Sequence, residues 1–123
     1  MTRLYHYTCA HAAEHIRRER WLQGNVHPWM REAGPLIHLT DLDSPDRAAL
    51  GLTSNILLCD RTEYRVIVST SSAVHWPVFA RTIQRHIRRA LEDAPGAMPM
   101  HWYVVQGPPV AVFDIQPVRK ALT

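Results

Sequence analysis

Cysteine is scarce in this chain of 123 residues: Cys9 and Cys59 are the only two, and they stand far apart. Small domains that depend on disulfides carry several spaced pairs, so a disulfide framework is excluded. No apolar run approaches the roughly 18 residues that a membrane-spanning helix needs, and no membrane partner is expected. The opening Met1-Thr2-Arg3-Leu4-Tyr5 lacks the apolar stretch of a secretory signal, which makes a reducing cytoplasm the expected compartment. Repeats, low-complexity tracts and linker-like stretches are also missing, so residues 1–123 read as one domain. Lysine is nearly absent. Of 14 basic residues, Lys120 alone is not arginine.

What is present is ordinary for a globular protein: 46% hydrophobic residues, 20% charged residues and nine prolines. A chain of this size buries about two-thirds of its unfolded surface and needs no metal or disulfide to fold. The net charge of +3 and the pI near 9.2 point only weakly to a polyanionic partner. Eight histidines add positive charge below about pH 6.5.

Leu4-Tyr5-His6-Tyr7-Thr8 reads as a strand, and 10–20 as a helix with Ala12, Ala13 and Ile16 on one face. Gly24 and Pro28 interrupt the chain before a second strand at 36–40. Asp43-Ser44-Pro45-Asp46-Arg47 is a helix start: Ser44 caps, Pro45 suits the first position and Asp46 meets the positive dipole end. Gly51 is the expected stop. Strands are expected at 56–59 and 64–68. The longest helix is predicted over 76–92, with Phe79, Ile83, Ile87, Ala90 and Leu91 as its buried stripe. Pro95-Gly96 ends it, and strands at 102–106 and 110–115 follow, joined by Gly107-Pro108-Pro109. This mixture without strict β-α-β alternation indicates an α+β fold.

Two strands carry polar residues in the same pattern: His6 and Thr8 lie two apart, as do His38 and Thr40. Side chains two apart share a strand face. A cleft between such strands would offer imidazoles and hydroxyls beside aromatic walls, groups that can hold a ribose and an amide-bearing ring. The competing reading is that both histidines are satisfied strand residues.

The opening Leu-Tyr-His-Tyr-Thr, with the helix behind it, resembles the first NAD-binding motif of the ADP-ribosyltransferase superfamily. Ile37-His38-Leu39-Thr40 resembles a segment of its RNA 2′-phosphotransferase branch and the aromatic-x-Ser/Thr strand of its toxin-like branches. Tyr64-Arg65-Val66-Ile67-Val68 is similar to the arginine-bearing strand that follows. The resemblance implies two small packed antiparallel or mixed sheets around an NAD cleft, with flanking helices. It implies NAD as co-substrate, bound by Tyr5, His6, Tyr7, Thr8, His38, Thr40, Arg65 and Trp102. His6 would contact the nicotinamide-side ribose, and the Tyr7 backbone would bond the carboxamide. His38 or Thr40 would line the opposite wall, and Tyr7 or Trp102 would stack on nicotinamide. A late-strand glutamate, usual in transferase branches, has no clear equivalent; Gln106 lies near the place and joins His6 and His38 as a catalytic candidate, with Glu63 a weaker substitute. The expected activity is transfer of ADP-ribose to a macromolecular acceptor, protein or nucleic acid. RNA 2′-phosphate removal, NAD hydrolysis and a catalytically silent nucleotide- or protein-binding module are the alternatives.

Two other signals compete. His11-Ala12-Ala13-Glu14-His15 matches the inverted zinc-peptidase pattern, with Glu92 an imaginable third ligand. A solvated helix with exposed histidines explains the pattern better, and no metal is expected. Arg81, Arg85, Arg88 and Arg89, with Arg17, Arg18 and Arg20, could face nucleic-acid phosphates. A solvated helix face is the preferred reading at a net charge of only +3.

Overall fold

Strands with consecutive apolar residues must be covered on both faces, and the runs at 36–40 and 102–106 impose that requirement here. The computed structural model describes residues 2–43, 46, 49, 50 and 61–118. Its strands are β1 (Thr2–Thr8), β2 (Trp21–Leu22), β3 (Asn25–Val26), β4 (Pro35–Thr40), β5 (Tyr64–Thr70), β6 (Val74–His75), β7 (Trp102–Gln106) and β8 (Val110–Pro117). The helices are α1 (Ala10–Glu19), α2 (Trp76–Phe79) and α3 (Arg85–Glu92). The expected strand at 56–59, Cys59, Ser44, Pro45 and Gly51 lie outside the described residues. Among the described residues nearby, Leu50 N–H donates to the Asp46 carbonyl at 3.0 Å.

The strands run in the order β2-β8-β5-β1-β4-β7-β6, with β3 attached to β4, and every pairing is antiparallel. The α+β class therefore holds, in one connected eight-stranded sheet. Alternate residues of the central strands feed two cores. Leu4, Ile37, Leu39, Val66, Val68 and Val105 pack with Ile16 of α1 on one face. Leu36 and Val104 pack with Met30, Trp76 and Phe79 on the other.

α1 ends at Arg20, which adopts the left-handed conformation (φ 64°) and donates its N–H to the Ile16 carbonyl. That position usually falls to glycine because a Cβ is strained there. Gly24 answers a different need. A Cβ on it would lie 2.9 Å from the Leu36 backbone, so only glycine lets this loop approach β4.

The helix expected over 76–92 is broken. Ile83 and Gln84 are extended, and the Thr82 hydroxyl donates to the Phe79 carbonyl at 2.7 Å. A side chain that bonds the preceding turn competes with helix continuation. Ile83, Ile87 and Leu91 still reach the second core, whereas Ala90 is exposed and leaves the expected stripe.

Candidate functional site

β1 pairs with β5 along its whole length, from Thr2↔Thr70 to Thr8↔Tyr64, but meets β4 at Tyr5↔Thr40 alone. Strand backbones alternate the side to which they direct N–H and C=O. Beyond Tyr5 no further rung joins β1 to β4, which marks a seam at the centre of the sheet. His6 bridges that seam: its Nδ1 lies 2.9 Å from the His38 carbonyl oxygen. A carbonyl only accepts, so Nδ1 carries the proton and donates, which leaves Nε2 as an acceptor.

The register separates the two histidines. Tyr5 and Thr40 are opposite and share a face; His38 follows Thr40 and His6 takes the other face. The two imidazoles and two hydroxyls thus do not form one wall. Contact between the motifs runs from the His6 ring to the His38 main chain.

Burial holds the His6 imidazole below its ordinary pKa, the bond to His38 resists this, and the Arg61 cation pushes it further down. His38 is pushed down to about 4, chiefly by burial and then by His6 and His27. Its solvent-exposed face lets water offset part of that penalty. Both rings are neutral at pH 7.

Tyr5, Tyr7 and Arg65 flank the seam on the β5 side. The Tyr7 hydroxyl donates to the Leu42 carbonyl at 2.7 Å, and burial raises its pKa against the pull of Arg65. The Arg65 guanidinium sits 5.0 Å over the Tyr5 ring. One terminal nitrogen donates to the Asp43 carbonyl (2.8 Å) and the other to Gln116 (2.9 Å). Its Nε is buried with no partner among the described residues. A phosphate at Arg65 would compete with Asp43 and Gln116 for the two outer nitrogens.

The remaining candidates are tied into the scaffold. Thr8 and Thr40 are buried, and the Thr40 hydroxyl donates to the His101 carbonyl at 2.7 Å. Trp102 donates its indole N–H to the Ala49 carbonyl and packs edge-on against Trp76. Gln106 sits at the opposite end of β7 from Thr40, paired with Leu36, and its amide donates to the Ala33 carbonyl at 2.7 Å. The backbone carbonyl of Glu63 accepts from Val118 N–H.

A polar cluster that the sequence reading missed lies at the closed end of the seam. Asp41 follows Thr40, and His101 precedes Trp102, the strand partner of Thr40. Asp41 accepts from His101 Nδ1 at 2.6 Å and from the Tyr103 hydroxyl at 3.3 Å. His75 stacks on Tyr103 with ring centroids 4.9 Å apart. The Asp41–His101 bond fixes the imidazole orientation, and both side chains are 38% exposed, so the ring is partly open to solvent. The sequence signal was the flanking of two strands by Asp41 and His101; their pairing across 60 residues was not readable locally.

The competing motifs are accounted for by local partners. His11 and His15 are exposed on α1, and Glu14 pairs with Arg18. Glu92 accepts from Trp76 Nε1 at 2.9 Å and Arg88 Nε at 2.7 Å. Arg81, Arg85 and Arg89 are exposed. Two open grooves lie elsewhere: about 340 Å³ beside α1 and about 300 Å³ between Trp29 and the start of α3. No seam histidine lines either groove.

Among the described residues no helix is long and apolar enough to cross a membrane. Compared with protein-family models, curated proteins and solved structures, the chain matches none.

Proposed function

We propose that the chain is an NAD⁺-using ADP-ribosyltransferase whose substrate site is the β1–β4 seam. One observation carries the reading: the central strand loses its ladder to β4 after a single rung, and a neutral histidine spans the opening. Strand amides and carbonyls along such a seam are donors and acceptors of the kind a carboxamide needs. The acceptor nitrogen of His6 suits a ribose hydroxyl, and its neutrality keeps a cation away from the ribosyl carbon as positive charge develops there. Fixed dipoles of this kind need no reorganisation during reaction.

The transfer breaks the ribose–nicotinamide bond, and nicotinamide leaves with the bonding electrons. An acceptor oxygen or nitrogen then bonds the same carbon and gives up a proton. In this reading the Asp41–His101 pair takes that proton, a role for which an oriented, accessible imidazole is suited. Gln106, with its amide committed to Ala33, supports the fold in this scheme. A silent nucleotide-binding module is the second reading, favoured by the commitment of the Gln106 amide to the Ala33 carbonyl, which leaves the late-strand catalytic position unserved.

Nicotinamide release from NAD⁺ separates the two. The transferase reading expects release by wild type, its loss in His6→Ala, and slower release in His101→Ala with NAD⁺ affinity kept. NAD⁺ binding without release, across protein, DNA and RNA acceptors, would leave the silent module. Equal release by wild type and His6→Ala would remove the seam as the site.

A further inference from the structure

We infer that the groove between Trp29 and the start of α3 binds unpaired nucleobases of a single-stranded polynucleotide. It is lined by Met30, Ile83 and Ile87 as apolar walls and by Gln84 as a polar group, with the Gln106 amide tied to the Ala33 carbonyl at its edge. Its volume of about 300 Å³ lies at the bottom of the range for ligand sites, enough for one base but too small for a dinucleotide.

Trp29 forms one wall and is 70% exposed, the most exposed large apolar side chain described. A tight turn holds it out. Met30 N–H donates to the His27 carbonyl (3.0 Å), Trp29 N–H donates to His27 Nδ1 (3.3 Å), and the two rings lie 5.3 Å apart. An indole kept in water by its own turn is a stacking platform, and base stacking on aromatics tolerates any sequence.

The groove's own lining carries one charge, the acid Glu32, and the cations that suit a phosphate backbone are its neighbours in sequence. Arg31, Arg81 and Arg85 are exposed and immediately flank the lining residues Met30, Thr82 and Gln84 in sequence, against the single acid Glu32. Gln84 also opens α3, whose start has neither a side-chain cap nor an acidic first turn, so its amides add to the positive rim. An apolar peptide would use the walls but leave the arginines without partners.

The groove is close to the seam. Gln106 pairs with Leu36, two residues along β4 from His38. That the bound strand is also the ADP-ribose acceptor rests on the reading above; the binding itself does not.

The test is fluorescence anisotropy of labelled 20-mers, oligo-dT and oligo-U, without NAD⁺, so that its failure leaves the NAD reading standing. Three phosphate contacts predict log affinity falling with log salt at a slope of about −2. Trp29→Ala should weaken binding about five- to a hundred-fold and leave that slope unchanged. Arg81→Ala with Arg85→Ala should make the slope shallower by more than 1. These side chains are exposed, so all variants should keep the wild-type thermal midpoint. A preference between the oligomers is assigned to the sugar only if oligo-dU, which lacks the thymine methyl, behaves like oligo-dT. The proposal fails if neither oligomer binds in 50 mM salt, if Trp29→Ala binds like wild type, or if a duplex of the same length binds as tightly.

Discussion

Glu92→Ala should be the most damaging single change on α3. No residue of α3 is fully buried, so the helix is held by the partial packing of Ile87 and Leu91 and by one polar tether. That tether is a single carboxylate oxygen shared by the Trp76 indole and the Arg88 guanidinium. Trp76 is 1% exposed, so truncating Glu92 strands a buried N–H. An orphaned buried donor costs about 1–3 kcal/mol. The half-exposed i,i+4 pair with Arg88 adds about 0.3–0.5 kcal/mol. Water can enter partway along the Glu92 path, which places the total near 2 kcal/mol. For a domain of this size that is a thermal shift of roughly 6–10 °C. Urea unfolding should show a lower midpoint with an unchanged m-value. Glu92→Gln keeps an acceptor for the indole and should lose about half as much, and Arg88→Ala should cost about 0.5 kcal/mol. Small and equal losses in Glu92→Ala and Arg88→Ala would refute the reasoning, because the indole bond would then contribute nothing.

Stability should fall as pH drops from about 6.5 toward 4. The unfolded chain takes up protons that folded His6 resists, at up to about 1.4 kcal/mol per pH unit, and the exposed His38 adds less because water screens it. Arg61, His27 and the second seam histidine all oppose charging, so urea unfolding of His6→Gln should show a shallower profile between pH 7 and 5; an identical profile would contradict the assignment. Gly24→Ala should lose about 1–3 kcal/mol by forcing β3 off the Leu36 backbone, and Arg20→Gly should be neutral or stabilising by up to about 1 kcal/mol. Tyr7→Phe should cost about 1 kcal/mol in thermal unfolding through the lost bond to Leu42.

The long strands were legible because β-branched and aromatic runs in β1, β5 and β7 are bounded by turns and charges. β2, β3 and β6 are two residues each and have no pattern of their own; pairing with β8, β4 and β7 creates them. The stripe Phe79, Ile83, Ile87, Leu91 correctly marked residues facing the core. It could not reveal that α2 stops at Phe79 and that Gln84 opens a separate helix, since a broken helix can keep the same stripe. At the site, the spacing of His6 and Thr8, and of His38 and Thr40, was plain. The register Tyr5↔Thr40, which puts the two histidines on opposite faces, depends on tertiary pairing. Asp41 and His101 were visible as residues, but nothing local joins them. Arg88 and Glu92 read as solvent-facing charge and distant ligand, yet a buried tryptophan makes them one unit.

The most direct test of the seam as an NAD⁺ site is the thermal midpoint of wild type and His6→Gln with and without millimolar NAD⁺. A ligand at a hundred times its dissociation constant adds about 2.7 kcal/mol, a rise of several degrees. The account predicts that rise in wild type and its loss in a folded His6→Gln. An equal rise in both would place NAD⁺ elsewhere on the molecule, and no rise in wild type would contradict the account.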